Sequence, residues 1–314
     1  MSLVFMGTPD FVVPVLDALV QGGYSVGGVY TQPDRPSGRG RIADPSPVKQ
    51  YAVRMGLPVY QPDTWQAPET IGQLASLAPE FIVVAAYGSI LPGEAVNIPT
   101  HSCINVHPSL LPKYRGPAPV VSALLDGMSI TGVTLIVLEE KVDAGPVIAQ
   151  RAVNVEEFDT TGVLTSRLFI EGARLLIETL PKWLKGEIIP QNQDDQSATT
   201  TKKLIKTDGE LDWSQPQMHL LRQVKALDPW PGTYSFWRGQ QVKILEVSPT
   251  DVRGDGLYGR VVMLSNVNGP RIGVIVGDGK ILELHRVQLA GRRPSQLTDF
   301  IQGHPNFLDS QLPS

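Results

Sequence analysis

LVFMGT at residues 3–8, followed at once by Pro9 and Asp10 and then by FVVPVLDALVQGG at 11–23, is the stretch on which the reading of the fold turns. A short apolar run without polar interruption marks a strand buried on both faces. Gly7 and Pro9 then impose a turn, and the apolar positions that resume at Phe11 are spaced for a helix. Strand, tight turn and helix form the opening unit of an α/β sheet. The pattern recurs downstream: VGGVYTQ (26–32), FIVVAAYG (81–88), CINVH (103–107) and TGVTLIVLEE (131–140) are short and rich in β-branched residues. Helix-like stretches lie between several of them, around 47–55, 67–78 and 117–126. The expected architecture is an α/β, Rossmann-like domain with a mostly parallel sheet, its ligand site at the carboxyl ends of the strands.

GVLTSRLFIEGARLLIETLPKWL (162–184) places Leu164, Leu168, Leu175, Leu176 and Leu180 along one helical stripe and closes this domain. QNQDDQSATTTKK (191–203) follows, with almost no large apolar side chain, as linkers and exposed loops have. After a helix at 214–227 the chain becomes a series of short segments, GTYSFWRG, QVKILEV, YGRVVML, RIGVIVG and KILELHRV, separated by Gly, Asn and Asp turns. That spacing predicts a small open β-barrel, OB-like in kind. The domain boundaries are therefore set at 1–189 for the first domain, 190–206 for a linker and 207–314 for the C-terminal β-barrel.

With 314 residues, 42% of them hydrophobic, the chain can bury two cores. MSLVFMGTPD has no basic flank and its apolar run is cut by Gly7 and Pro9, unlike a signal peptide, and no apolar stretch approaches the ~20 residues of a membrane-spanning helix. A single cysteine, Cys103, excludes an intrachain disulfide; it reads as a small buried side chain. The five histidines show no compact ligand spacing, so no metal is expected. These features fit a cytoplasmic protein without membrane association; a monomer is expected, although nothing in the sequence sets the oligomeric state. The net charge of −4 argues against a protein that coats nucleic acid by overall attraction. Its distribution is uneven: residues 201–314 carry 14 Lys and Arg against 11 Asp and Glu, the remainder 13 against 20.

Neither the G-x-G-x-x-G dinucleotide fingerprint nor the P-loop pattern is present, so a Rossmann-like sheet here does not imply a dehydrogenase or an NTPase. Polar function is densest in CINVHPSLLPKYRGPAPV (103–120). Asn105 and His107, two apart on a strand, share a face at its carboxyl end, where their donors can converge on one oxygen. Ser109, Leu110, Leu111 and Pro112 follow in a loop stiffened by prolines, a wall suited to a flat heterocycle. Asp143 comes after the next strand, where a turn can bring its carboxylate toward His107. Each residue alone is an ordinary strand-end or turn residue. Together an oxyanion binder, an imidazole and a carboxylate at successive strand ends are the set acyl transfer requires.

Asn105-Val106-His107 with Ser109-Leu110-Leu111-Pro112, and Val142-Asp143-Ala144-Gly145 downstream, resemble the 10-formyltetrahydrofolate-dependent formyltransferase superfamily. Within it, MGTPDF at the start, TQPDRPSGRG (31–40), SPVK (46–49), VVAAYGSILP (83–92) and DPWPGTY (228–234) resemble the members that act on methionyl-tRNA, essentially over the whole length. The resemblance implies formyl transfer from 10-formyltetrahydrofolate, a co-substrate rather than a tightly bound cofactor, to the α-amino group of methionyl initiator tRNA, a step of translation initiation. It implies Asn105, His107 and Asp143 as catalytic residues, and folate along the strand ending in Tyr87 and against Ser109, Leu110, Leu111 and Pro112. Apart from the resemblance, the basic segment 31–49, with almost no large apolar residue, is expected to be an irregular, mobile loop leaving the carboxyl end of a strand, which makes Arg39 and Arg41 candidate tRNA contacts; Lys206 in the linker is a further candidate phosphate contact. The same trio serves enzymes acting on an amino sugar nucleotide or glycinamide ribonucleotide, and folate deformylases, so the trio leaves the acceptor open.

Overall fold

The structure, a computed structural model, describes residues 2–37, 42–265 and 270–314. Contacts divide the chain into two compact units: residues 1–119, 129–155 and 163–202 form the first, and 120–128, 156–162 and 203–314 the second. Through residue 184 the elements are β1 (Ser2–Gly7), α1 (Val13–Gln21), β2 (Ser25–Tyr30), β3 (Arg35–Ser37), β4 (Ile42–Asp44), α2 (Pro47–Arg54), β5 (Val59–Tyr60), α3 (Pro68–Ser76), β6 (Phe81–Ala85), α4 (Gly93–Val96), β7 (Ser102–His107), α5 (Pro119–Leu125), β8 (Ile130–Val137), β9 (Val147–Asn154) and α6 (Thr161–Leu184).

The first unit is built on a seven-stranded sheet in the order β5-β2-β1-β6-β7-β8-β9. The strands from β5 to β7 are parallel, as unbroken apolar runs such as LVFM and FIVVA require when both faces are covered. β8 and β9 are antiparallel, each to its neighbour. Alternation along β7 divides the core: Ile104 and Val106 join the cluster containing Leu16, Phe169 and Leu176, whereas Cys103 faces the cluster of Met6, Tyr30, Trp65 and Tyr87 on the other side. Asn105 and His107 share the Cys103 face. Burial pushes the Cys103 thiol far above its ordinary value, as befits an inert core residue.

Helix α6 buries Leu164, Leu168, Leu175, Leu176 and Leu180, together with Phe169 and Ala173. Burial of a side chain of Leu size contributes about 1.5–3 kcal/mol. Gly172 lets the helix approach the sheet, since a Cβ there would lie 2.7 Å from Val106 Cγ1 and 3.1 Å from Val133 Cγ2. The segment after β2, expected to be irregular, forms a small hairpin: β3 and β4 pair Arg35 with Asp44 and Ser37 with Ile42. Side chains join its two ends. Thr31 Oγ1 and Ser46 Oγ are 2.7 Å apart, Ser46 caps α2 by accepting from Lys49 N, and Lys49 Nζ donates to Asp34. Gln61 Nε2 adds bonds to Gln32 O and Asp34 Oδ1.

The second unit contains α7 (Gln217–Ala226), β10 (Thr233–Trp237), β11 (Gln240–Ser248), β12 (Val261–Ser265), β13 (Arg271–Ile275), β14 (Ile281–Leu289), β15 (Ser295–Gln296) and α8 (Leu297–Gly303). Its antiparallel sheet runs β10-β11-β14-β13-β12, with β15 beside β14. Alternation buries Thr233, Ser235 and Trp237 of β10, and the core gathers Trp213, Leu220, Val242, Leu282, Phe300 and Phe307. Two buried polar side chains of this core find partners: Trp213 Nε1 donates to Ser235 Oγ, and Gln217 Nε2 to the carbonyls of Thr250 and Ile281, whereas Trp237 Nε1 has none among the described residues. Among the described residues no helix is long and apolar enough to cross a membrane, and no group of three or more His, Cys, Asp or Glu could hold a metal ion.

Candidate active site

Strand β7 carries two polar side chains where the parallel sheet ends, Asn105 lying beside Val84 of β6. Asn105 is half-buried and His107 is only 4% exposed. The third member comes from the turn after the next strand, as expected, but that strand runs antiparallel to β7. Because β8 runs against β7, its carboxyl end lies level with Ile104, not beyond His107. Asp143 therefore comes from the turn between β8 and β9, not from a further strand end on the same side. A bond from Ala144 N to Lys141 O closes that turn, and Asp143 takes a φ of 51°, a left-handed conformation that Asp tolerates better than most residues. Gly145 fits because a Cβ there would sit 1.8 Å from Val137 O.

The three side chains meet. Asn105 Nδ2 donates to Asp143 Oδ1 at 3.2 Å, and His107 Nδ1 lies 3.5 Å from Asp143 Oδ2. The backbone N–H of Gly116 donates to the same Oδ2 at 2.8 Å. On the far side of the ring, His107 Nε2 is 3.1 Å from the carbonyl oxygen of Tyr114, an acceptor only, so Nε2 carries the proton and Nδ1 faces the carboxylate. Burial lowers the His107 pKa below its ordinary 6.5, against the opposing pull of the Asp143 charge and the Tyr114 carbonyl. The imidazole is thus neutral at neutral pH, able to donate from one nitrogen and to exchange a proton through the other.

The loop after β7 is held from within. Ser109 is fully buried and its hydroxyl donates to Lys113 O, while Thr134 Oγ1 donates to Ser109 O and accepts from Leu111 N. Gln150 Nε2 bonds Leu111 O. Ser109 and the buried Leu111 therefore shape the loop from inside, and Leu110 and Pro112 are its partly exposed members. Tyr87 is also turned inward: its ring stands edge-on to Trp65, its backbone oxygen accepts from Thr8 Oγ1, and burial pushes its phenol up to about 12. An open cleft of about 420 Å³ is lined by Gly93, Val96, Asn97, Leu138, Glu139, Glu140 and Lys141, the last two residues short of Asp143. It has room for a small ligand.

Lys206 lies exposed in a short 3₁₀ turn of the second unit, whereas Arg39 and Arg41 fall outside the described residues. Sequence reasoning missed Tyr114, Arg115 and Gln193. Tyr114 contributes a carbonyl, which any residue type carries, and Gln193 lies in a polar stretch without periodicity, so neither announces itself.

The Formyl transferase family matches residues 1–180, and the family Formyl transferase, C-terminal domain matches residues 203–305. The methionyl-tRNA formyltransferase of Roseiflexus castenholzii is 46% identical over 305 residues, covering 96% of this chain and 96% of its own. That of Chloroflexus aurantiacus is 44% identical over 303 residues, 96% of this chain and 97% of its own, and that of Bacillus subtilis 42% over 303 residues, 96% and 94%. Among solved structures, an N-formyltransferase from Helicobacter canadensis, in complex with folinic acid and dTDP-3-aminofucose, superposes with a TM-score of 0.65 at 16% identity over 90% of this chain and 98% of that one. HypX from Aquifex aeolicus, in complex with tetrahydrofolic acid, gives 0.64 at 18% identity over 96% of this chain and 46% of its own. The two solved structures share the fold; the sequence relatives, at 42–46% identity over nearly the full length, share the family. The chain belongs to the methionyl-tRNA formyltransferases.

Proposed function

We propose that this protein transfers the formyl group of 10-formyltetrahydrofolate to the α-amino group of methionyl initiator tRNA, giving N-formylmethionyl-tRNA. The observation that carries the reading is the meeting of Asn105, His107 and Asp143 in a chain of this family. The amine nitrogen attacks the formyl carbon, the C=O electrons move to oxygen, and a tetrahedral intermediate forms. Its collapse breaks the bond to N10 of the folate, and the proton lost by the amine ends on N10. Asn105 uses one amide hydrogen on Asp143 and offers its second to the oxyanion; His107, whose Nε2–H is taken by Tyr114 O, adds a donor there only once Nδ1 has accepted the amine proton. Asp143 orients His107 and carries the proton from amine to N10. Since Nε2 is engaged by the Tyr114 carbonyl, Nδ1 is the atom through which His107 and Asp143 share that proton.

The folate lies against Leu110 and Pro112, whose loop is braced by the buried Ser109 and Leu111, and along the main chain near Tyr87, the phenol itself facing inward. It is a co-substrate that leaves after each turnover. Lys206, Arg39 and Arg41 contact the tRNA, the protein works as a cytoplasmic monomer, and the chain is organised as a catalytic domain 1–189, a connection 190–206 whose first part is bonded to the catalytic domain, and a tRNA-binding domain 207–314. The test is incubation with 10-formyltetrahydrofolate and four acceptors: methionyl initiator tRNA, methionyl elongator tRNA, glycinamide ribonucleotide and an amino sugar nucleotide. Formylation confined to the initiator supports the proposal. Preferential formylation of the sugar or the ribonucleotide overturns it.

A further inference from the structure

Residues 191–201, polar enough to read as a linker, are bonded at Gln191, Gln193, Asp195, Thr199 and Thr201 to the active-site loops of the first unit. Gln191 pairs with Val147 through both backbone groups. Thr199 O accepts from Arg115 N, Thr199 Oγ1 accepts from Tyr114 N, and Thr201 N donates to Arg115 O. Between these anchors stands Gln193, whose carboxamide is fully used. Its Nε2 donates to Asp143 O and Gly145 O, each at 2.8 Å, and its Oε1 accepts from Arg115 Nε at 3.0 Å. Arg115 precedes Gly116, whose N–H holds the Asp143 carboxylate. The contacts close a ring: Asp143 carboxylate, Gly116, Arg115, Gln193 and back to the Asp143 carbonyl.

We infer that Gln193 and Arg115 are positioning residues that set the Asp143 carboxylate against His107 and Asn105. The left-handed φ of Asp143 needs an external restraint, and the two carbonyl bonds from Gln193 supply it at either side of Ala144. Arg115 suits this role better than a stabilising one. Its side chain is only 6% exposed, Asp195 takes Nη1, and Nη2 is buried without a hydrogen-bond partner among the described residues. A buried cation with an unmet donor is a poor source of stability, so its value lies in the geometry it enforces. Asp195 also binds Lys141 Nζ at 2.8 Å, tying the start of the Asp143 turn to the same segment.

The inference rests on the proposed role of Asp143 in formyl transfer but not on the acceptor, so it is tested with whichever acceptor the wild-type protein formylates. Gln193→Leu should lower kcat by about tenfold to a hundredfold, the scale of misplacing a reactive group by about 1 Å, with the folate KM changed less than about threefold. Gln193→Glu, which keeps an acceptor for Arg115 but cannot donate to the two carbonyls, should lose as much. Should Gln193→Leu fail to fold, Gln193→Glu, an exchange of one amide nitrogen for oxygen, carries the same test. In an Asp143→Ala background either change should cost less than about twofold more, because a positioning residue has nothing left to position. Wild-type kcat in a folded Gln193 variant, or an equal loss with and without Asp143, would overturn the inference. Absence of formylation with every acceptor would overturn both the role of Asp143 and the ring built around it.

Discussion

Asn105, His107 and Asp143 are joined by one carboxylate: the amide donates to it, and the imidazole lies between it and the Tyr114 carbonyl. Asn105→Ala, His107→Ala and Asp143→Ala should each lower turnover by at least about a hundredfold, as loss of an oxyanion donor or proton-transfer group does. The His107→Ala, Asp143→Ala double variant should cost much less than the product of the singles. Steady-state kinetics on folded protein checks both, and near-normal turnover in Asp143→Ala would remove it from the mechanism. His107 also leaves a mark on stability. Burial lowers its pKa in the folded state below 6.5, so between the two values the unfolded chain binds more protons and stability rises with pH. Its contribution is complete above about pH 6.5 and is lost as pH falls through that value toward the lowered one. Denaturant unfolding of wild-type and His107→Gln protein should therefore diverge in pH slope below pH 6.5; parallel slopes would mean that folding leaves the His107 pKa unshifted.

Helix α6 was readable from its leucine stripe, and the stripe meets the sheet as the 3.6-residue period demands. What the period does not reveal is how near the helix comes. Gly172→Ala would drive a methyl against Val106 and Val133, next to the residues that carry Asn105 and His107. The expected loss is about 1–3 kcal/mol, the usual result of overpacking. Gly72→Ala in α3 is the control. A Cβ there meets nothing within 4 Å, and helix propensity predicts a gain of about 0.5–1 kcal/mol. Urea denaturation of the two variants gives opposite signs if packing at Gly172 decides, and the same sign if backbone propensity alone does. The segment 191–201 shows the converse: low hydrophobicity made it look like a solvated connection, yet its polar groups meet the backbone of the active-site loops.

A protein of net charge −4 that acts on a polyanion must bind it through local contacts, and the candidates are Lys206, Arg39 and Arg41. Two phosphate contacts suffice to weaken binding about tenfold between ~50 and ~200 mM salt, so the KM for tRNA should rise by at least that factor while the folate KM changes little. Arg39→Leu should lower kcat/KM with methionyl-tRNA by more than about tenfold with folate affinity unaltered. A tRNA KM indifferent to salt, with normal kinetics for the Arg39 variant, would place the tRNA contacts on other residues.

Most strand and helix positions, the division into an α/β part and an antiparallel β part, and the grouping of Asn105, His107 and Asp143 could be read from the order of residues; the β3–β4 hairpin, β5, α4 and β9 could not. Periodicities of two and 3.6 are local properties, and apolar side chains that must leave water write them plainly into the chain. The turn that brings Asp143 toward His107 could be read; the direction of β8, and with it the side from which that turn approaches, could not. A buried strand has the same composition whichever way it runs, and its partner lies far off in sequence. The ring through Gly116, Arg115 and Gln193 was equally hidden. Its bonds join residues up to 78 positions apart through amides and carbonyls that solvent would satisfy equally well, so those groups acquire a specific partner only when folding brings them together and excludes water.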